Sequence, residues 1–194
     1  MKHFNHISKD PIILFADIIL LSETWLQPET SLDIFQLPSY TLYTNSWGRG
    51  KGLAIYANDK FWHDFDISEP NLQITKVNSN HLEVISVYRS KECSLPLLVE
   101  KLLRIFNRDK STVICGDFNV CLKSSPNNAL FQALKQQDFK QLVSKATHLQ
   151  GGLIDHIYVR QTEHNTTCEV QHYCPYYTAT DHDALLLTLK PNEE

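Results

Sequence analysis

The β-branched run Thr112-Val113-Ile114-Cys115 breaks off at Gly116-Asp117-Phe118-Asn119, and no other stretch of the chain restricts the fold so closely. A short apolar run ending in glycine reads as a buried strand, and the residues just past its end are delivered to the rim of a sheet. Asp117 and Asn119 stand two apart there. In extended backbone, residues i and i+2 point to the same side, so a carboxylate and a carboxamide face one reaction centre. That pair suits the activation and alignment of a water molecule. Gly, Asp and Asn also suit an ordinary turn. What favours a site over a turn is repetition, because three more polar clusters stand at strand ends.

Glu23 follows the aliphatic run Asp17-Ile18-Ile19-Leu20-Leu21-Ser22 and precedes Thr24-Trp25-Leu26. Asp155 and His156 lie within Gly151-Gly152-Leu153-Ile154-Asp155-His156-Ile157-Tyr158-Val159, where a Gly-Gly turn opens a strand that carries an acid among apolar neighbours. An unpaired buried carboxylate is costly, so Asp155 needs a partner. Thr180-Asp181-His182-Asp183 leads directly into Ala184-Leu185-Leu186-Leu187-Thr188-Leu189, so an acid and an imidazole enter the last strand together. Asp155 is a natural partner for one of them. His156 reads as a strand-surface residue, Asp183 as a solvated carboxylate and His148 as a loop histidine; all three stay outside the expected site.

These segments resemble the endonuclease/exonuclease/phosphatase superfamily of metal-dependent phosphodiesterases. Glu23 in "LLSETWL", Tyr88 in "VISVYRS", Asp117 and Asn119 in "ICGDFN", Asp155 in "GLIDHIYV" and Asp181-His182 in "TDHDALLL" match the family motifs in type and in chain order. The resemblance covers about residues 12 to 190 and is nearest to endonuclease domains of non-long-terminal-repeat retrotransposons or Helitron-type elements. It implies a four-layer α/β/β/α sandwich of two packed mixed sheets, and phosphodiester hydrolysis in DNA assisted by Mg²⁺ or Mn²⁺. By the same resemblance Glu23 is a metal ligand, with Asp181 helping to hold metal or fix its neighbours. Asp117 activates the attacking water, and Asn119 holds that water or a phosphate oxygen. His182, oriented by Asp155, stabilises the phosphate, and Tyr88 contributes a phenolic donor to it. A reverse transcriptase or helicase in a larger polyprotein is the implied partner besides DNA. The same centre serves phosphatases of inositol lipids or sphingolipids, since fold alone does not fix substrate.

Domains of this kind open with a strand ending in asparagine, then a helix, then the strand that leads to the glutamate. Residues 1–15 have room only for the helix, which Pro11 kinks or ends, and Asn5 has no apolar strand before it. The expectation is a first strand missing, a remnant helix over 1–15, one catalytic domain over 16–190 and a tail at 191–194. A catalytically impaired relic is the alternative that this departure raises.

Elsewhere Leu53–Ala57, Leu72–Val77, Leu82–Val87, Thr167–Gln171 and Ala184–Leu189 read as strands, with Asn78-Ser79-Asn80 as a hairpin turn. Pro96–Phe106 and Asn128–Gln137 read as helices from their apolar spacing. A length of 194 residues with 42% hydrophobic content suits one domain with a proper core. No apolar run reaches the ~18 residues of a membrane span, and His3, Asn5, His6, Lys9 and Asp10 break up any signal-peptide layout, pointing to a nuclear or cytoplasmic location. Five cysteines without a Cys-x-x-Cys pair favour free thiols in a reducing compartment, which leaves the Asn165-Thr166-Thr167 sequon idle. The net charge of −4 argues against a general electrostatic clamp on nucleic acid but not against a nuclease, whose metal-binding acids lower the total. Arg49-Gly50-Lys51, or Lys101 with Arg104 and Arg108, could line a backbone path, although a solvated loop and helix face is the favoured reading of these charges.

Overall fold

A computed structural model describes residues 4–162, 166–173 and 180–191; Asn165, Cys174 and His3 lie outside the described residues. Eleven strands are described. They are β1 (Ile18–Ser22), β2 (Thr41–Asn45), β3 (Leu53–Ala57), β4 (Trp62–Glu69), β5 (Leu72–Asn78), β6 (Leu82–Arg89), β7 (Ser111–Asp117), β8 (Lys140–Gln141), β9 (Asp155–Arg160), β10 (Thr166–Tyr173) and β11 (Ala184–Pro191). The helices are α1 (Phe4–Ile7), α2 (Leu95–Ile105) and α3 (Ala129–Lys135).

A six-stranded mixed sheet, in the order β4-β5-β6-β7-β9-β8, forms one inner layer. Only β6 and β7 among its pairs run parallel, and α2 supplies the crossover that parallel neighbours require. Facing this sheet are the three-stranded β1-β3-β2 sheet and the β10-β11 hairpin. Ile55, Val77, Val113, Ile157 and Val159 fill the space between, with Leu185 and Leu187 packed against them. The helices α2 and α3 cover the other face of the large sheet through Leu98, Leu102, Leu130 and Leu134. On the outer face of the small sheet, α1 and two 3₁₀ turns pack Phe4, Ile13 and Leu14 around Tyr56. The expected four layers are therefore present.

Local chemistry explains the element ends. Ser94 caps α2, its hydroxyl accepting from the Leu97 amide, and Asn128 caps α3 by accepting from the Phe131 amide. The N-terminal helix is a single turn, and ahead of Pro11 the Asp10 carboxylate accepts from the amides of Ile12 and Ile13. Strands β2 and β4 carry polar and charged residues at many positions, because both are edge strands of their sheets; their apolar pattern is correspondingly weak. Cys93, Cys115, Cys121 and Cys168 are free thiols.

Gly116 is the residue on which the sheet depends at the Asp117 end of β7. Its φ of +139° lies where side chains are rarely tolerated, and a Cβ there would sit 1.9 Å from the Val87 carbonyl oxygen on the parallel neighbour. Gly116→Ala is expected to cost on the order of 3 kcal/mol or more through backbone strain and overpacking. Urea unfolding checks this, and an unchanged midpoint would contradict it.

Candidate active site

The register of the large sheet lines up three of the expected residues. Tyr88 on β6 pairs with Asp117 on β7, and Asp117 pairs with Asp155 on β9. Directly opposed residues on neighbouring strands share a face, so a phenol and two carboxylates stand in one row at the sheet's end. Glu23 arrives from the opposing layer, just past β1. The strand unwinds there into left-handed backbone, with φ of 51° at Glu23 and 60° at Trp25. The Thr24 and Trp25 amides are held by the carbonyls of Gly52 and Lys51. Asn119 is a third non-glycine residue in this region, at φ 49°. Such conformations are uncommon outside glycine and concentrate where function fixes the backbone.

Asp117 is 2% exposed. Its oxygens accept from the Asn119 amide at 2.9 Å and the Asn119 side chain at 3.0 Å. Burial first, and then the Asp155 charge, raise its pKa to about 7 despite the Asn119 hydrogen bond and the nearby His182. Asn119 also donates to the Arg89 carbonyl at 3.0 Å. Both of its amide hydrogens thus have protein acceptors, and its carbonyl oxygen is the end left for an incoming donor such as water.

His182 stands just before β11, and its Nδ1 lies 2.9 Å from Asp155 Oδ2. That hydrogen bond holds the imidazole proton and raises its pKa to about 9, against the opposing effect of burial. With Nδ1 engaged, Nε2 is the free end of the ring. Ligand-type atoms of Asp117, Asp155 and His182 all lie within 4.8 Å of one another. Glu23 is exposed as a residue, yet crowding strips enough water from its carboxyl group to raise its pKa, with Asp181 and Asp155 adding to the rise and His182 and Tyr88 opposing it. The Tyr88 hydroxyl donates to the Gly50 carbonyl at 3.0 Å and is near enough to Glu23 to influence its proton affinity. Its hydrogen goes to the loop that carries Gly50; burial and the Glu23 charge push its own pKa up.

Asp181 lies at the rim, paired with His148 at 3.2 Å. His148 was expected to remain a loop residue, yet it packs edge-on against the His182 ring at 4.9 Å, and the two share a β-bridge. Thr147 is also part of the frame, since its hydroxyl accepts from the amides of Ile154 and Asp155. Nothing in the sequence spacing links residues 147–148 to 181–182; the nearest signal is the Gly151-Gly152 turn, whose Gly152 carbonyl accepts from both Thr147 and His148. Arg89 is a further support, its guanidinium donating to the carbonyls of Cys93, Phe118 and Asn119 from a 7% exposed position. His156 is not on the strand surface. It is fully buried, stacked on Phe118 at 4.8 Å, and burial lowers its pKa to about 4.

A group of carboxylates facing one imidazole, two of them with raised proton affinity through crowding, is a donor set that a hard divalent cation suits. Fold and site together define a carboxylate–histidine cluster at the rim of a two-sheet sandwich. The chain belongs to the Endonuclease/Exonuclease/phosphatase family, whose model matches residues 5–182. Members of this family hydrolyse phosphodiester bonds as nucleases or phosphatases. Among solved structures, the fold is similar to the endonuclease domain of TRAS1, a telomere-specific non-LTR retrotransposon (TM-score 0.65, 14% identity, 97% of this chain and 92% of that one). It is also similar to D. rerio TDP2 complexed with single strand DNA product (0.64, 13%, 97% and 93%). A 3'-5' exonuclease from Neisseria meningitidis gives 0.71 at 16% identity over 99% and 94%. No curated protein matches the sequence significantly. Among the described residues no helix is long and apolar enough to cross a membrane.

Proposed function

We propose that this chain is a divalent-metal-dependent DNA endonuclease of mobile-element origin, which hydrolyses a phosphodiester bond with an activated water. The observation that carries the reading is the convergence of Asp117, Asp155 and His182 within 4.8 Å, beside Glu23 and Asn119. The TRAS1 endonuclease domain and the DNA-bound TDP2 are similar in fold, which supports DNA as substrate and an origin in a mobile element.

In this mechanism Glu23, with Asp181 at the rim, holds Mg²⁺ or Mn²⁺. When bound, such an ion stabilises charge on the phosphate oxygens and leaving group. Asp117 in its ionised form takes a proton from water, and the Asn119 carbonyl oxygen orients that water. Protonated His182 donates from Nε2 to a non-bridging phosphate oxygen as negative charge builds there. Asp155 keeps the ring charged and aimed. Tyr88 ties the Gly50 loop to the site.

Purified protein is expected to convert supercoiled plasmid to open circles in Mg²⁺, with the rate falling to background in EDTA and returning when excess Mg²⁺ or Mn²⁺ is added. Nicking that continues at full rate in EDTA would reject the metal-dependent reading.

A further inference from the structure

The rim beside Glu23 carries a feature that phosphodiester chemistry does not use. Trp25 is half exposed, at 50%. Its backbone is fixed by the left-handed φ of 60° and by the bond from its amide to the Lys51 carbonyl. The Arg49 guanidinium sits over the indole, 5.5 Å from its centre, and Arg49 has no carboxylate partner among the described residues. Trp47, 37% exposed, lies in the same loop. That loop is tied to the site, because Gly50 receives the Tyr88 hydroxyl. Of the other basic candidates, Lys101 pairs with Glu69 and Arg104 with Glu100, while Arg108 donates to the neutral Gln137 side chain.

An exposed tryptophan with a stacked arginine, held rigidly two residues from a metal-binding carboxylate, has the chemistry of a nucleobase platform. Base–aromatic stacking is sequence-tolerant, and a cation near the ring also attracts the adjacent phosphate. Bases in an intact duplex have both faces covered, so such a platform selects an unpaired strand. We propose that Trp25 and Arg49 form a subsite for the nucleobase flanking the scissile phosphate, and that the chain prefers unpaired DNA over duplex. This rests on the DNA endonuclease reading above, from which it is separable by experiment.

The test is binding in EDTA by fluorescence anisotropy, using a labelled dT12, the same 12-mer with abasic residues throughout, and a 12-base-pair duplex. Wild-type protein is expected to bind dT12 roughly tenfold more tightly than the abasic strand, the scale of one stacked base, and more tightly than the duplex. Trp25→Ala removes the preference for bases, Trp25→Phe retains most of it, and Arg49→Gln weakens both single strands. Equal binding of dT12 by wild type and Trp25→Ala, or a wild-type preference for duplex, overturns the subsite. Trp25-dependent binding in a protein that never nicks DNA would sink the endonuclease reading and leave the platform standing. Nicking with Trp25-independent binding would do the reverse.

Discussion

Asp117→Asn is expected to lower plasmid nicking by about 10²- to 10⁴-fold, the range in which a positioned general base contributes. The substitution keeps the side chain's shape but removes the group that accepts the proton from water. Asp117 is well suited to that task, because burial and Asp155 raise its pKa to about 7, near the working pH. A base that holds its proton too weakly at neutral pH is a poor acceptor, and one that holds it too strongly is seldom free. The loss is expected in turnover rather than in KM, with the circular dichroism spectrum unchanged. An Asp117→Asn protein that nicks within a few-fold of wild type would mean that Asp117 activates no water.

His182→Gln is expected to cost about 10²- to 10³-fold in turnover, as removal of a single preorganised donor to a developing oxyanion does. Asp155→Asn reaches much the same loss through His182. Its hydrogen bond is the largest cause of the elevated imidazole pKa of about 9, so without it the ring titrates back toward the ordinary imidazole range. The sign follows directly. Wild-type His182 is protonated and competent through neutral pH and loses its donor as pH rises through about 9, whereas the Asp155→Asn enzyme declines at lower pH. Imidazole titration by NMR in the metal-free protein reads the same shift without turnover. Residues that act as a unit are not additive, so the double variant should be little worse than either single one. Additive losses would separate the two residues.

The sequence carried the site to the extent that its residues stand at strand ends. Glu23, Asp117 and Asp155 each follow or open an aliphatic run, and the backbone places such residues on the rim of a sheet. That Asp155 needs a partner near residues 181–182 was legible as well, because a buried acid is costly alone; the choice of His182 came from the family resemblance. What escaped was support that comes from distant segments. Thr147 reaches Asp155 and His148 abuts His182 because the Gly152 carbonyl folds residues 147–148 back, and residues 147 and 149 bond to the backbone of Asp183 and Asp181 ahead of the last strand. Arg89 holds the backbone at Phe118 and Asn119 through carbonyl acceptors, so charge patterning gives no hint of it. The Arg89 carbonyl and the Asp117 carboxylate take both amide hydrogens of Asn119, which the spacing of Asp117 and Asn119 does not foretell. The strands β2 and β4 went unread because edge strands carry a mixed pattern that periodicity does not resolve.

The most direct test of the catalytic centre is anomalous diffraction from crystals grown with Mn²⁺ and a phosphorothioate oligonucleotide that resists cleavage. A manganese peak at the Glu23 carboxylate, with the scissile phosphate between Asp117 and His182 Nε2, is the predicted result. Manganese bound instead by His148, Asp181 and His182, with Glu23 unliganded and the phosphate elsewhere, would contradict it.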